Sequence, residues 1–171
     1  MTIHADHPFR DPSPDPVRQL RGRLGGAVSL WTAPGPAGLT VSSLLVAGGE
    51  PSYVVGLLDP DSDLADALER DGRAVVQLLQ WRHRDLAEAF AGVAPAPGGP
   101  FAQAAFEETP WGPRLADART WAGVVVTDAR EVGWTRQVTC AVEHLQVDEE
   151  DEPLEHRRGR YLRPRPDGRA P

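Results

Sequence analysis

The stretch Gly38–Ser43, read as Gly-Leu-Thr-Val-Ser-Ser, decides how the rest of the chain is interpreted. It places small hydroxylated residues after a glycine in a run of high strand propensity that continues to Val46. Thr40, Ser42 and Ser43 offer short hydrogen-bonding groups that could meet a planar polar ligand without filling its space. The alternative is an ordinary strand end whose serines bond to nearby backbone. From these residues alone, both interpretations stay open.

The composition favours one acidic, mainly β domain with short helices. The chain has 171 residues, 40% of them hydrophobic, which suits a single domain with a real core. Its 17 glycines and 17 prolines favour many short strands over a helical bundle. A formal net charge of −7 predicts no nucleic-acid partner and no anionic membrane surface as partner, because like charges repel.

Three absences in the sequence limit location and chemistry. Cys140 is the only cysteine, so no disulfide within the chain is possible, and we expect a cytoplasmic protein. We find no apolar run of signal-peptide or membrane-span length, and therefore expect no export by that route. The chain has no lysine, which excludes Schiff-base chemistry.

The first half of the chain alternates strand and helix patterns. A helix of about two turns is expected from Asp15-Pro16, because a capping carboxylate precedes a proline in the first turn. A hairpin is expected to turn at Pro34–Pro36 and lead into Gly38–Ser43. The elements expected next are a buried strand at 53–58, a helix capped by Asp61 or Ser62 and ended by Gly72, a buried strand at 74–79 and a helix at 84–90.

The second half has two strands, one irregular crossing and two charged segments. In residues 101–117 the apolar positions show no clear helical or strand period, so this segment is expected to be a long loop that crosses the surface. Strands at 121–127 and 138–147 are expected to pair around 130–133. The acidic run 148–152 is interpreted as a solvated loop rather than a metal site, and it precedes the concentrated basic segment 156–161. Residues 1–14 are expected to form a disordered arm, and 164–171 a loose tail.

The order of these pieces resembles the flavin reductase-like family of FMN-binding split β-barrels. The resemblance covers residues 15–163, and its most specific parts are Gly38–Ser43, Phe90-Ala91-Gly92 and Gly159-Arg160-Tyr161. It implies a six-stranded Greek-key split barrel that forms a homodimer. It also implies a cofactor, FMN or possibly FAD, held near the subunit interface.

The resemblance further implies a set of cofactor-binding residues. Thr40, Val41, Ser42 and Ser43 match the segment that meets the flavin edge, and Ser62, at a helix start, matches the phosphate position. Gln77 matches a strand position where many members have asparagine. Arg160 and Tyr161 belong to a basic segment expected to close over the site, against the alternative that it is a surface tail paired with the acidic run. We assign no catalytic side chain and no metal ligand.

Two departures from the family pattern bear on function. Asp59, Asp61 and Asp63 crowd the expected phosphate position and would weaken binding unless Arg82, His83 or an arginine of a partner chain offsets them. Many members carry Gly-Asp-His near the nicotinamide, whereas Gly133 is followed here by Trp134 and Thr135.

Two functional hypotheses remain, together with a structural one. The first is an FMN-dependent oxidoreductase, most simply a flavin reductase that uses NADH or NADPH to supply reduced flavin. The second is a flavin or related heterocycle binding protein of the same barrel without NAD(P)H turnover, favoured by both departures. The third, a dimer scaffold, predicts no bound chromophore. A serine hydrolase is discarded, because Gly38–Ser43 lacks the nucleophile-elbow pattern.

Overall fold

The computed structural model describes residues 16–149 and 152–163. The arm expected at 1–14 and the tail expected at 164–171 lie outside the described residues. The helices are α1 (Pro16–Leu24), α2 (Asp63–Asp71) and α3 (Arg84–Phe90), with 3-10 turns at Trp81–His83 and Pro100–Gln103. No helix of the described ranges is long and apolar enough to cross a membrane.

Twelve strands are assigned within the same ranges, and they confirm the mainly β fold with short helices. They are β1 (Gly26–Ala27), β2 (Ser29–Ala33), β3 (Ala37–Val41), β4 (Leu44–Ala47), β5 (Tyr53–Leu58), β6 (Arg73–Leu78), β7 (Phe106–Thr109), β8 (Gly112–Leu115), β9 (Trp121–Val132), β10 (Thr135–Gln146), β11 (Glu155–Arg157) and β12 (Arg160–Leu162).

The local sequence patterns explain most of these bounds. The strand expected at 53–58 and the helix expected at 84–90 are observed with those limits. Helix α2 begins after Ser62, whose hydroxyl accepts a hydrogen bond from the Ala65 amide, and ends at Gly72 with φ 66°. The pair expected around 130–133 is the long hairpin β9–β10.

The main sheet is antiparallel and curled, in the order β3-β2-β6-β9-β10-β5-β4. Strands β3 and β4 lie at its two edges, yet only Ser42 and Ser43 separate them along the chain. Two residues span a few ångströms, so the sheet must curl until its edges meet. Seven strands are present in this sheet within the described ranges rather than the six expected, because the run through Gly38–Ser43 breaks into two edge strands. The homodimer stays a prediction.

Residues 101–117 are not the expected surface crossing. They form a 3-10 turn followed by the hairpin β7–β8, which packs on the barrel. Gly112 allows the approach, because a Cβ there would lie 3.0 Å from the Ala33 carbonyl carbon and its φ is 132°. Leu115 at the end of this hairpin is fully buried. The apolar residues of this segment recur at neither the helical nor the strand spacing, because contact with the barrel wall decides which of them are buried.

Two hydrophobic cores lie on opposite sides of β2. Trp31 and Ala33 point into the barrel interior, where α2 contributes Leu64 and Leu68. Leu30 points outward into a second core that contains Phe90 of α3. The alternation follows from the two-residue period of a strand. The barrel wall therefore separates α2 from the elements that cover its outer face.

Candidate functional site

The link Ser42–Ser43 forms the seam between the two edges of the curled sheet. The Leu57 amide donates to the Ser43 carbonyl at 2.9 Å, which fixes the link beside the end of β5. Strand β5 stops at Leu58, and Ser62 follows after one short turn. The fold therefore brings Ser42, Ser43 and Ser62 to the same end of the barrel, as the interpretation of these residues as one site requires.

The two seam hydroxyls are available for a ligand. Ser42 and Ser43 are partly exposed, and no hydrogen bond is formed by either side chain with any described residue. Both residues also lie outside the strand ladders, so their backbone amides are not committed to strand pairing. Unpaired hydroxyls beside backbone amides that lie outside the strand ladders are a suitable surface for the polar edge of a planar ligand.

Thr40 and Val41 have structural partners within the protein. The Thr40 hydroxyl donates to the Ala87 carbonyl of α3 at 2.6 Å. Val41 is 2% exposed in the inner core, and its carbonyl accepts a hydrogen bond from the Ser29 hydroxyl at 2.6 Å. Thr40 and Val41 therefore anchor β3 to α3 and to the core, while Ser42 and Ser43 are left for a ligand.

Ser62 caps α2 and has both of its hydrogen-bonding functions in use. Its hydroxyl donates to the Asp59 carbonyl at 2.7 Å and accepts from the Ala65 amide at 3.2 Å. The amides of Asp63 and Leu64, in the first turn, form no hydrogen bond with described residues. These two amides give the helix start the donors that an anion would use.

Carboxylates surround this helix start. Asp59, Asp61, Asp63 and Asp66 lie within eight residues, and Asp59 already accepts the Asp61 amide at 2.9 Å. No salt bridge joins any of the four to a described cation. An anion at Ser62 would therefore meet repulsion that the described part of the chain does not offset.

Arg82 and His83 do not provide the missing positive charge, because both are bonded to Asp117. The Arg82 Nε lies 3.0 Å and the His83 Nε2 lies 3.1 Å from Asp117 Oδ2. Partial burial would raise the pKa of Asp117, but hydrogen bonds and charge from His83 and Arg82 lower that pKa below its usual value. This cluster fastens the β8–β9 connection to the start of α3.

Gln77, expected to contact the cofactor, has another role in the structure. It is fully buried, its Nε2 donates to the Thr32 hydroxyl at 3.1 Å and its Oε1 accepts from the Leu115 amide at 2.7 Å. The Thr32 hydroxyl in turn donates to the Pro113 carbonyl. The amide therefore ties β6 to β2 and β8, with no side open to a ligand.

Arg160 and Tyr161 lie on β12 of the small sheet β1-β11-β12. Tyr161 packs on the outer core, and burial followed by the charge of Glu88 raises its pKa to about 12. Its ring is therefore a cover for α3 rather than an exposed stacking surface of its own subunit. Arg160 is exposed at the end of the chain's basic segment.

An aromatic cluster on the outer face of β9 and β10 was not anticipated as a unit. His144 lies between Trp121, at 4.4 Å between ring centroids, and Trp111, at 5.5 Å. Gly123 makes room for Trp111, since a Cβ there would lie 2.2 Å from that ring. Trp111 and Trp121 were visible in the sequence, but their meeting depends on the β7–β8 hairpin. The cluster covers the sheet and packs His144 between two indole rings.

Solved structures with the same fold include an NADH:FAD oxidoreductase and a flavin reductase. The NADH:FAD oxidoreductase SgcE6 of Streptomyces globisporus C-1027, in complex with NAD and FAD fragments, superposes with a TM-score of 0.79 at 20% identity, covering 90% of this chain and 93% of that one. The styrene monooxygenase flavin reductase SMOB of Pseudomonas putida S12 gives 0.77 at 21% identity, covering 88% and 98%.

Curated relatives cover nearly the whole chain. The FMN reductase (NADH) RutF 2 of Methylorubrum extorquens (strain PA1) is 32% identical over 164 residues, 90% of this chain and 91% of that protein. The 4-hydroxyphenylacetate 3-monooxygenase reductase component of Pseudomonas aeruginosa is 23% identical, over 84% of this chain and 88% of that protein. The model of the flavin reductase like domain matches residues 21–164. With the barrel, the seam and these matches in agreement, the chain belongs to the flavin reductase like domain family.

Proposed function

We propose that the protein is an FMN-dependent oxidoreductase, most simply an NAD(P)H-dependent flavin reductase that supplies reduced flavin. The observation that carries the proposal is the pair of unpaired hydroxyls at Ser42 and Ser43, set beside the α2 start in a barrel of this family. The lone, buried cysteine at 140 agrees with a cytoplasmic location for this enzyme.

The seam fits a flavin ring. The pyrimidine edge of an isoalloxazine carries two carbonyl oxygens and one N–H, and it needs short donors and acceptors in a row. Ser42 and Ser43 offer both through hydroxyls and amides, while Thr40 and Val41 hold the strand that carries them. The bound flavin would supply hydride acceptance and donation. The residues of this chain would bind and orient the ring.

The phosphate end fits less well. Ser62 and the amides of Asp63 and Leu64 have suitable donors, but the four carboxylates at this helix start oppose a dianion. A complete FMN site at Ser62 therefore requires positive charge from outside the described single chain. FAD carries a pyrophosphate instead, in which the phosphoryl group next to the ribityl chain bears one negative charge rather than the two of the FMN phosphate.

The electron donor is proposed to be NADH or NADPH. One relative is named an FMN reductase (NADH), and the SgcE6 structure contains NAD fragments. The alternative is a flavin-binding protein without pyridine nucleotide turnover. It is favoured by the turn at Gly133, where Trp134 is 94% exposed in place of the Asp and His of many members.

The absorbance spectrum of the purified protein tests the proposal. A flavin band that bleaches on anaerobic addition of NADH or NADPH supports the reductase, whereas a stable flavin band supports the binding protein. Protein that neither retains nor takes up a flavin contradicts both.

A pair of serine variants tests the site itself. Ser42→Ala/Ser43→Ala removes both seam hydroxyls, and at about 0.5–1.5 kcal/mol per hydrogen bond the flavin dissociation constant should rise by roughly fivefold to 150-fold. Ser52→Ala is the matched control, because its exposed hydroxyl bonds only to the Gly49 carbonyl at 3.0 Å. Equal affinities for the two variants would place the flavin elsewhere.

A further inference from the structure

The small sheet β1-β11-β12 begins beside the seam. Strand pairing sets Ser29 opposite Val41, the residue that precedes Ser42, and only Val28 separates β1 from β2. The Val28 amide donates to the Leu154 carbonyl at 2.9 Å, just before β11 begins. In this sheet β12 is two strands away from β1. Because adjacent strands lie about 4.8 Å apart, β12 lies roughly 10 Å farther from the seam than β1 does.

The turn of the hairpin β11–β12 concentrates arginines. It is called the arginine turn here and comprises Arg157–Arg160, read as Arg-Arg-Gly-Arg. Arg157 lies directly opposite Arg160 in the ladder, and Arg158 lies in the turn between them. All three arginines are exposed, whereas His156 is buried. Since side chains alternate between the faces of a strand, Arg157 and Arg160 share the solvent face of the hairpin.

The three guanidinium groups have no counterion in the described part of the chain. Neither a salt bridge nor a hydrogen bond joins their side chains to any described residue. Glu155 lies on the same face, but it pairs across the ladder with Leu162 and forms no salt bridge within the described ranges. Like charges directly opposite each other destabilise a hairpin, so a bound anion would stabilise this one.

The conformation of Arg158 adds a second observation. Its φ is 52° and that of Gly159 is 73°, so both central residues of the turn are left-handed. Such a turn favours Asn-Gly, and a long side chain at its first position costs stability. The Arg158 amide donates to the Gly22 carbonyl at 2.8 Å, which fixes the turn against α1. A strained residue that holds a charge in a fixed place is typical of a ligand site.

The chemistry of the arginine turn suits a phosphate group, because guanidinium groups recognise phosphate oxygens through pairs of parallel hydrogen bonds. The phosphate of FMN lies only a ribityl chain away from the flavin ring. The adenosine end of a dinucleotide whose nicotinamide meets the flavin lies farther away, as the arginine turn does. Three positive charges also match a phosphate dianion better than a pyrophosphate, which carries one charge on each phosphoryl group.

We propose that the arginine turn binds the adenosine 2′-phosphate of the hydride donor, so that NADPH is preferred over NADH. Arg157 and Arg160 face the phosphate from opposite strands, and Arg158 approaches it from the turn. This inference rests on the proposed function for the presence of a hydride donor, but the phosphate subsite can be measured without any flavin.

Nucleotide binding tests the subsite directly. Isothermal titration calorimetry at low salt should show that 2′,5′-ADP binds the wild type at least tenfold more tightly than 5′-AMP, which has no 2′-phosphate. Arg157→Gln/Arg160→Gln should abolish this difference. Arg73→Gln/Arg130→Gln is the matched control, because it removes two exposed arginines elsewhere and should keep the difference. Equal binding of the two nucleotides by the wild type, or equal binding of 2′,5′-ADP by the two variants, would overturn the proposal.

A variant of the turn itself separates binding from stability. Arg158→Asn suits the left-handed position, so it should raise the melting temperature while weakening 2′,5′-ADP binding at least threefold. A higher melting temperature with unchanged 2′,5′-ADP affinity would show that Arg158 serves only the turn and would remove it from the subsite.

Donor kinetics connect the subsite to the reaction. In anaerobic flavin reduction the wild type should have a kcat/KM at least tenfold higher with NADPH than with NADH, and Arg157→Gln/Arg160→Gln should lose that preference. A wild type that prefers NADH would overturn the proposal and leave the proposed function standing. If 2′,5′-ADP binds as expected but neither donor reduces flavin, the subsite stands and the proposed function fails. A variant that loses FMN but not riboflavin, with its donor preference unchanged, would assign the arginine turn to the flavin phosphate instead.

Discussion

Replacing Gly38 by alanine should destabilise the protein through one steric conflict. A Cβ at position 38 would lie 2.6 Å from Cε1 and 2.9 Å from Cδ1 of Phe90, and 3.2 Å from Cζ of Phe101. The backbone of Gly38 does not require a glycine, since its φ lies outside the left-handed region. The substitution therefore tests only the steric effect of the added methyl group, at the place where β3 packs against α3.

The magnitude follows from how little the neighbours can move. Phe90 is 5% exposed and makes an edge contact with Phe101 at 4.9 Å between centroids, so its ring has no free volume into which to retreat. Overpacking of this kind costs about 1–3 kcal/mol. At about 2–4 °C per kcal/mol for a chain of this size, the melting temperature should fall by roughly 2–12 °C.

Urea denaturation followed by tryptophan fluorescence measures the loss, with Gly48→Ala as matched control. A Cβ at Gly48 would meet nothing within 4 Å and its φ is also ordinary, so that variant should be neutral or slightly more stable. In the double variant Gly38→Ala/Phe90→Leu the smaller side chain relieves the conflict. The loss in the double variant should be smaller than the two single losses combined.

Two results would refute this reasoning. One is a Gly38→Ala protein as stable as the Gly48→Ala control, which would mean that the ring and β3 separate without cost. The other is full additivity in the double variant, which would mean that the destabilisation does not arise at Phe90.

Three further predictions concern single side chains. Thr40→Val should lower the free energy of unfolding by about 1 kcal/mol in urea, because it removes the hydrogen bond to Ala87; unchanged stability would contradict a structural role. Burial raises the pKa of Cys140 to about 12, so the thiol should react with a disulfide reagent only after denaturation, and rapid labelling of native protein would argue against its placement. Burial and the charge of Arg21 lower the pKa of His156, so the unfolded chain takes up a proton more readily. The melting temperature should therefore fall as pH drops below about 6.5, less steeply in His156→Leu.

The elements of this fold could be predicted where the deciding contacts are local. The apolar run Tyr53–Leu58, the Ser62 cap and the Gly72 stop act within a few residues, and the structure has them as expected. The hairpin β7–β8 could not be predicted, because its burial depends on Ala33, about eighty positions earlier.

Some residues of the candidate site could likewise be predicted from the sequence, and others could not. The sequence alone indicated Ser42, Ser43 and Ser62, since hydroxylated residues after a glycine and at a helix start can be recognised without a structure. Gln77 was assigned to the cofactor by position, but the tertiary structure uses its amide to join three strands. A side chain's hydrogen-bonding capacity can be read from its type, whereas its partner is decided by what packs against it.

By itself, then, the sequence determined the mainly β class, the family and the hydroxyls of the seam, because these follow from composition, periodicity and the order of short motifs. The tertiary structure alone decided that β3 and β4 lie on opposite edges of one curled sheet. It also joined the two ends of the described chain, through α1, β1 and the hairpin β11–β12, into one small unit. The physical reason is that strand pairing acts between residues far apart in sequence, and only the folded chain brings those residues together.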